Sequence, residues 1–274
     1  MVEMKIVNVS PEIAKKLLEA NTNNYRGINH RRVEMYAREM REGLWQENYE
    51  PIHIYEGGRL ANGQHRLTAI VESGATVKML VVAGVERDVN LFDRGGLRTN
   101  GQILKASGVS LAGGEISAVS ILKNGFHGTS GAEEIKAYHS KLNDFDVVSF
   151  AILKGKNHPI LRKAGIIAAT YCAYRLNRIT LDEIEQFATV CNSGIPTEGV
   201  NSYPPLCFRR TLQSGFKNAN GETISSGEGM RKASFETAFR ALVDFHNGAK
   251  RKLNYRPDGE GDKILESARK VYGR

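Results

Sequence analysis

The stretch "GRLANGQHRLTAI", residues 58–70, changes its structural period halfway through. Arg59 to Asn62 make a strand-length step, Gly63 interrupts it, and Leu67, Ile70 and Val71 then recur at helical spacing up to Ser73-Gly74. Upstream, "PIHIYEGGRLAN" (51–62) holds two short apolar runs joined at Gly57-Gly58, a dipeptide suited to the positive φ angles of a two-residue hairpin turn. Downstream, "TVKMLVVAG" (76–84) has the β-branched density of a buried strand. The segment therefore predicts hairpin, sharp turn, helix and strand in quick succession.

Working outward, Val33, Tyr36, Ala37 and Met40 follow the i, i+3, i+4, i+7 pattern of an amphipathic helix, with Gly43 as its stop. Before it, Lys5–Val9 reads as a strand and Ser10-Pro11 as a cap and first helical residue, with Ile13, Leu17 and Ala20 as the buried stripe. After the central segment, Thr99-Asn100-Gly101-Gln102 fits a capping box. From there to the C-terminus the periods are helical, in stretches 111–125, 131–142, 159–176, 181–194, 204–212 and 230–252. The 159–176 stretch is apolar on most faces, as expected of a central bundle helix. The glycine-rich "GFHGTSG" (125–131) and "SGEGM" (226–230) read as loops. The fold class expected is α+β: a small mixed-sheet domain over 1–108, followed by a mostly α-helical domain over 109–274.

Composition narrows the chemistry. The chain carries a formal charge of +8, and six of those excess positive charges fall after residue 108. A basic surface gathers polyanions, so DNA is an expected partner of the second domain. Its basic groups Arg209, Arg210, Lys217, Arg231, Lys232, Arg240, Lys250, Arg251, Lys252 and Arg256 are interleaved with Phe208, Phe216, Phe239 and Tyr255, although Phe235 and Phe239 share a core-facing stripe with Leu242. Three cysteines without a CxxC pair, and seven histidines never spaced as metal ligands, indicate neither a disulfide frame nor a zinc site. No apolar run approaches membrane-spanning length, and the first twenty residues follow neither signal-peptide nor transit-peptide order. No membrane partner and a cytoplasmic location are expected. P-loop, nucleophile-elbow and HExxH motifs are absent.

Gly63, Gln64, His65 and Arg66 stand where a strand ends and a helix begins. The first N–H groups of a helix and its dipole favour an anion, a glycine allows close approach, and an arginine fork matches a phosphate. These residues alone leave a solvated or ion-paired arginine open, which is the commoner role of an arginine in a first helical turn. Asn29, His30, Arg31 and Arg32 open the preceding marked helix, against the usual preference for acids there. Asp93, Arg94 and Arg98 form a third polar group, which is either a local ion-pair network or part of the same cleft.

"LANGQHRLTAI", together with "NHRRVEMYAREMREGLW" (29–45) and "PIHIY" (51–55), resembles the signature of the ParB/sulfiredoxin-fold superfamily over residues 4–108, closest to its DGQHR-type and ParB-like phage or bacterial members. That resemblance implies nucleotide-phosphate binding by Gly63, Gln64, His65 and Arg66, with Arg98 assisting, and Arg31 joins them from its own place at the start of the preceding helix. It also implies catalytic roles for Arg66, His65 and Asp93, and Glu34 is a weaker carboxylate choice. Two positions depart from it: Asn62 replaces the usual Asp, and Gln64 stands where sulfiredoxins carry their cysteine, which disfavours sulfinic-acid reduction. The function expected is binding of a nucleoside triphosphate (ATP or CTP) with Mg²⁺ and phosphoryl chemistry, as hydrolase or phosphotransferase, acting on or regulated by DNA. The alternatives are a non-catalytic DNA-binding nucleotide switch and a metal-dependent nuclease. The metal ligands and oligomeric state are not legible in this sequence.

Overall fold

The computed structural model describes residues 2–20, 28–46, 50–85, 99–153, 159–217, 220–225, 227–253 and 260–272. They form a mixed α/β chain divided into two compact units, the first comprising Met1–Ile103 with Thr129–Glu134 and the second Leu104–Gly128 with Ile135–Arg274. The first unit thus ends within the helix that follows Thr99, and a short downstream segment belongs to it as well.

The first unit runs β1 (Glu3–Val9), α1 (Pro11–Glu19), α2 (His30–Arg41), β2 (Ile52–Tyr55), β3 (Leu60–Asn62), α3 (Gln64–Ser73) and β4 (Val77–Val85). The strands form one mixed sheet in the order β1-β4-β2-β3, with β4 antiparallel to β1 and parallel to β2, and β2 antiparallel to β3. The hairpin turns at Gly57 and Gly58, both at positive φ, and the Gly58 amide donates to the Tyr55 carbonyl at 3.0 Å. Ser10 and Asn29 cap α1 and α2 by accepting from Ile13 N–H and Arg32 N–H. Val9, Val33, Ala37, Ile52, Leu67, Ala69 and Ile70 make the core, and α3 packs on both α1 and α2. On α1 the inward face is Ala14, Leu17 and Leu18, while Ile13 is exposed, one position round from the stripe expected from spacing.

Helix α4 (Asn100–Ala106) carries the capping box: Gln102 N–H donates to Thr99 Oγ1 at 3.3 Å and Thr99 N–H to Gln102 Oε1 at 2.9 Å. The segment 129–134 is bound to the first unit by charge. Arg38 Nε donates to Glu134 Oε1 at 2.6 Å and its Nη2 reaches the Thr129 carbonyl, while Glu134, fully buried, also accepts from Gly131 N–H. Asn100 Nδ2 donates to Ser130 O at 2.8 Å.

The second unit adds α5 (Gly113–Asn124), α6 (Ala132–His139, begun in the first unit), α7 (Phe145–Leu153), a 3-10 turn (Pro159–Arg162), α8 (Ala164–Arg175), α9 (Leu181–Ser193), α10 (Tyr203–Ser214), the hairpin β5 (Phe216–Lys217) and β6 (Thr223–Ile224), α11 (Gly227–His246) and α12 (Glu260–Tyr272). As expected from its composition, α8 is central: Gly165 through Ala173 are all buried, and α5, α7, α11 and α12 pack around it. Gly165 allows α11 to approach backbone to backbone, since a Cβ there would lie 2.4 Å from the Arg231 carbonyl. The "SGEGM" stretch, expected as a loop, instead begins α11 at Gly227. Glu236, buried on α11, accepts from Gly261 N–H at 2.8 Å and so caps α12 from another helix.

Removing one member of a buried ion pair leaves the other charge unmatched, at a cost of about 3–5 kcal/mol. Arg38→Ala is therefore expected to destabilise the first unit by roughly that amount, because it leaves Glu134 buried with its cation gone. Denaturant unfolding of the full chain, with Arg38→Ala compared against the paired Arg38→Met/Glu134→Leu replacement, checks this: the double variant is expected to be the more stable of the two.

Candidate anion-binding site

β3 hands over to α3 in one residue. Gly63 lies at φ 112°, in the left-handed region, and a Cβ on it would sit 2.3 Å from Ile52 Cδ1 on β2. Both backbone and packing thus require glycine. Leu67 N–H donates to Gly63 O at 3.0 Å, closing the first turn of α3, and Gly63 supplies no side-chain cap. Gln64 and His65 follow, both half-buried.

His65 reaches from this turn to the start of α2. Its Nε2 accepts from the Asn29 N–H at 3.0 Å, and Asn29 is the residue capping α2. An accepting Nε2 keeps its lone pair, so the ring is neutral with its proton on Nδ1. Two helix N-termini, each with the positive end of its dipole, are thereby brought together. Neither first turn contains an acidic residue. At the start of α2 stand His30, Arg31 and Arg32, all exposed.

Arg66, expected as the phosphate fork, is only 7 % exposed. Its Nη2 donates to Pro51 O at 3.0 Å and its Nη1 to Glu50 O, so the guanidinium holds the chain that enters β2. Its charge is felt at both His53 and Tyr36. Burial and then the Arg66 cation hold His53 below the usual histidine range, while burial raises the Tyr36 hydroxyl against the opposing pull of Arg32 and Arg66. Sequence patterns could announce the arginine but not its main-chain acceptors, which any residue type provides.

The structure brings Gly63, Gln64 and His65 together with the segment bearing Arg31. Asp88, Asp93, Arg94 and Arg98 lie outside the described residues. Glu34 has an oxygen 3.9 Å from Arg38. Among the described residues, no group of three or more His, Cys, Asp or Glu could hold a metal ion.

In the second unit many of the basic groups are engaged locally. Arg209 donates to the Cys191 and Asn192 carbonyls at the end of α9, and Lys232, Arg240 and Arg251 pair with Asp262, Glu260 and Asp244. Phe208 and Phe216 are core residues and Phe239 is half-buried, so the first two have no face to offer a base. Arg210, Lys217, Lys250, Arg251 and Lys252 are exposed, whereas Tyr255 and Arg256 lie outside the described residues. The cysteines carry no disulfide, and burial raises the Cys191 thiol to about 12. No described helix is long and apolar enough to cross a membrane. No protein-family model, curated protein or solved structure matches the chain.

Arg66→Ala is expected to lower the stability of the first unit by about 1–3 kcal/mol, the cost of stranding partly buried acceptors, and Arg66→Lys to recover only part of it, since one ammonium cannot reproduce the fork. Thermal unfolding of the full chain measures both. His53 supplies a pH dependence. Its folded pKa lies below its ordinary value of 6.5, so the unfolded chain takes up the proton more readily and stability falls as pH drops below about 6.5. His53→Gln is expected to flatten that part of a pH–stability curve.

Proposed function

We propose that the first unit binds the phosphate groups of a nucleotide at the paired starts of α2 and α3. The observation that carries the reading is the bond from Asn29 N–H to His65 Nε2, which joins two positive helix ends beside His30, Arg31 and Arg32 with no acid in either first turn. Such a concentration of one sign is eased by a bound polyanion. In this reading Arg31 and Arg32 supply exposed cations beside His30, Gly63 makes the turn that presents the first main-chain N–H groups of α3 from Gln64 on, and Arg66 fixes the turn from behind. The ParB/sulfiredoxin resemblance favours a nucleoside triphosphate, ATP or CTP, with Mg²⁺. Phosphoryl transfer or hydrolysis in this reading draws on Asp93 and Arg98, and Mg²⁺ would supply charge neutralisation on the phosphates.

A second ligand, DNA, is favoured by the exposed Lys250 and Lys252 after α11, which flank Arg251, itself paired with Asp244. Phosphate-dominated binding of that kind ignores base sequence and weakens linearly in log salt.

Calorimetric titration of the full chain with each of the four ribonucleoside triphosphates and Mg²⁺, with and without duplex DNA, tests both. Arg31→Glu/Arg32→Glu is expected to weaken nucleotide binding by about 1.5 kcal/mol or more, the scale of hydrogen bonds to charged groups, whereas Lys250→Glu/Lys252→Glu is expected to leave nucleotide affinity at the wild-type level. The latter substitution is expected to weaken DNA binding and flatten its salt slope. Absence of binding by every triphosphate removes the proposal.

A further inference from the structure

Strand β1 lies at an edge of the sheet, and among the described residues it pairs with β4 alone. An edge strand offers a row of hydrogen-bonding groups to any second strand, and soluble proteins commonly defend such edges with proline, bulges or charge. β1 has no proline, and its seven-residue register with β4 runs from Glu3↔Ala83 to Val9↔Val77 without a bulge. Its two faces differ. Val7 and Val9 turn toward the helices and join the core, whereas Val2, Met4 and Ile6 are 59 %, 66 % and 55 % exposed. The apolar surface continues across the register from Ile6 to the half-buried Leu80 on β4.

Glu3 and Lys5 are the charges on this edge, both well exposed and 2.9 Å apart within one strand. Their positions select a register. When two copies of β1 meet antiparallel about a two-fold axis, side chains on the same face stay together only if the opposing residue numbers share parity. With Met4 opposite Met4 of the second copy, Glu3 faces Lys5 twice and Val2 faces Ile6 twice. Shifting by one face-preserving step puts Lys5 opposite Lys5 in one direction, or Glu3 opposite Glu3 in the other. Opposite charges across a strand pair stabilise it and like charges oppose it. The sequence of β1 is thus complementary to itself in one register and repelled by the two nearest alternatives.

We propose that β1 is a self-association edge, through which two copies of this chain join their four-stranded sheets into one continuous eight-stranded sheet centred on Met4. The contact is isologous, so each substitution acts twice. The apolar stripe of Val2, Met4 and Ile6 is doubled on one face, and the Glu3 and Lys5 pairs are formed between copies on the other. This inference is independent of nucleotide binding.

Sedimentation velocity of the full chain across a concentration range, with circular dichroism to verify folding, tests it by charge exchange. Wild type is expected to show a monomer–dimer equilibrium. Glu3→Lys alone and Lys5→Glu alone are each expected to weaken it about tenfold or more, since two cross-strand pairs change sign. The double variant Glu3→Lys/Lys5→Glu is expected to restore it, because the opposing charges are again complementary. Mixing the two single variants is expected to give a heterodimer that neither forms alone. A wild type that stays monomeric at every concentration overturns the proposal, as does a dimer indifferent to both single substitutions and to Ile6→Asp.

Discussion

At Gly63, where β3 passes into α3 through a single residue, a left-handed backbone and a steric demand fall on the same position. The φ of 112° turns the chain out of β3, while the lack of a Cβ lets the turn lie on Ile52 of the neighbouring strand. The direction of α3 follows from this contact, and with it the burial of Leu67, Ala69 and Ile70 against α1 and α2. It also sets where His65 projects, and hence the bond that brings the start of α2 beside the start of α3. The polar site and the apolar core of the first unit are consequences of the same turn.

The arginines divide by what surrounds them. Arg66 and Arg38 are drawn inward, the first to main-chain oxygens and the second to the buried carboxylate of Glu134. Each takes the place of a strand or helix contact in tying a distant segment to the core, which suits a planar fork with several donors. Arg31 and Arg32 sit at the outer rim of α2 instead, and their charges remain available to solvent. The 38 lysines and arginines accordingly overstate the cations open to a polyanion. Several cations of the second unit end at helix carbonyls or acids of α11 and α12.

Local chemistry made much of the fold legible. The Gly57-Gly58 turn, the α2 stripe, the Thr99 capping box and the apolar run of α8 all depend on neighbours within a few residues, and the sequence displays those neighbours directly. What escaped depends on distant partners. Nothing near Thr129 signals that Glu134 will meet Arg38, and nothing near α12 signals that Glu236 will cap it. The "SGEGM" stretch misled because three small or flexible residues suggest a turn, yet α11 starts there and is held by the apolar run beyond. At the site, the glycine and histidine were readable as a turn at a helix mouth, whereas Arg66's inward course was not, because its acceptors are carbonyls.

The tautomer of His65 links the geometry of the site to its charge. With Nε2 accepting from Asn29, the imidazole adds no positive charge, so the two helix ends are held together without increasing the repulsion between them.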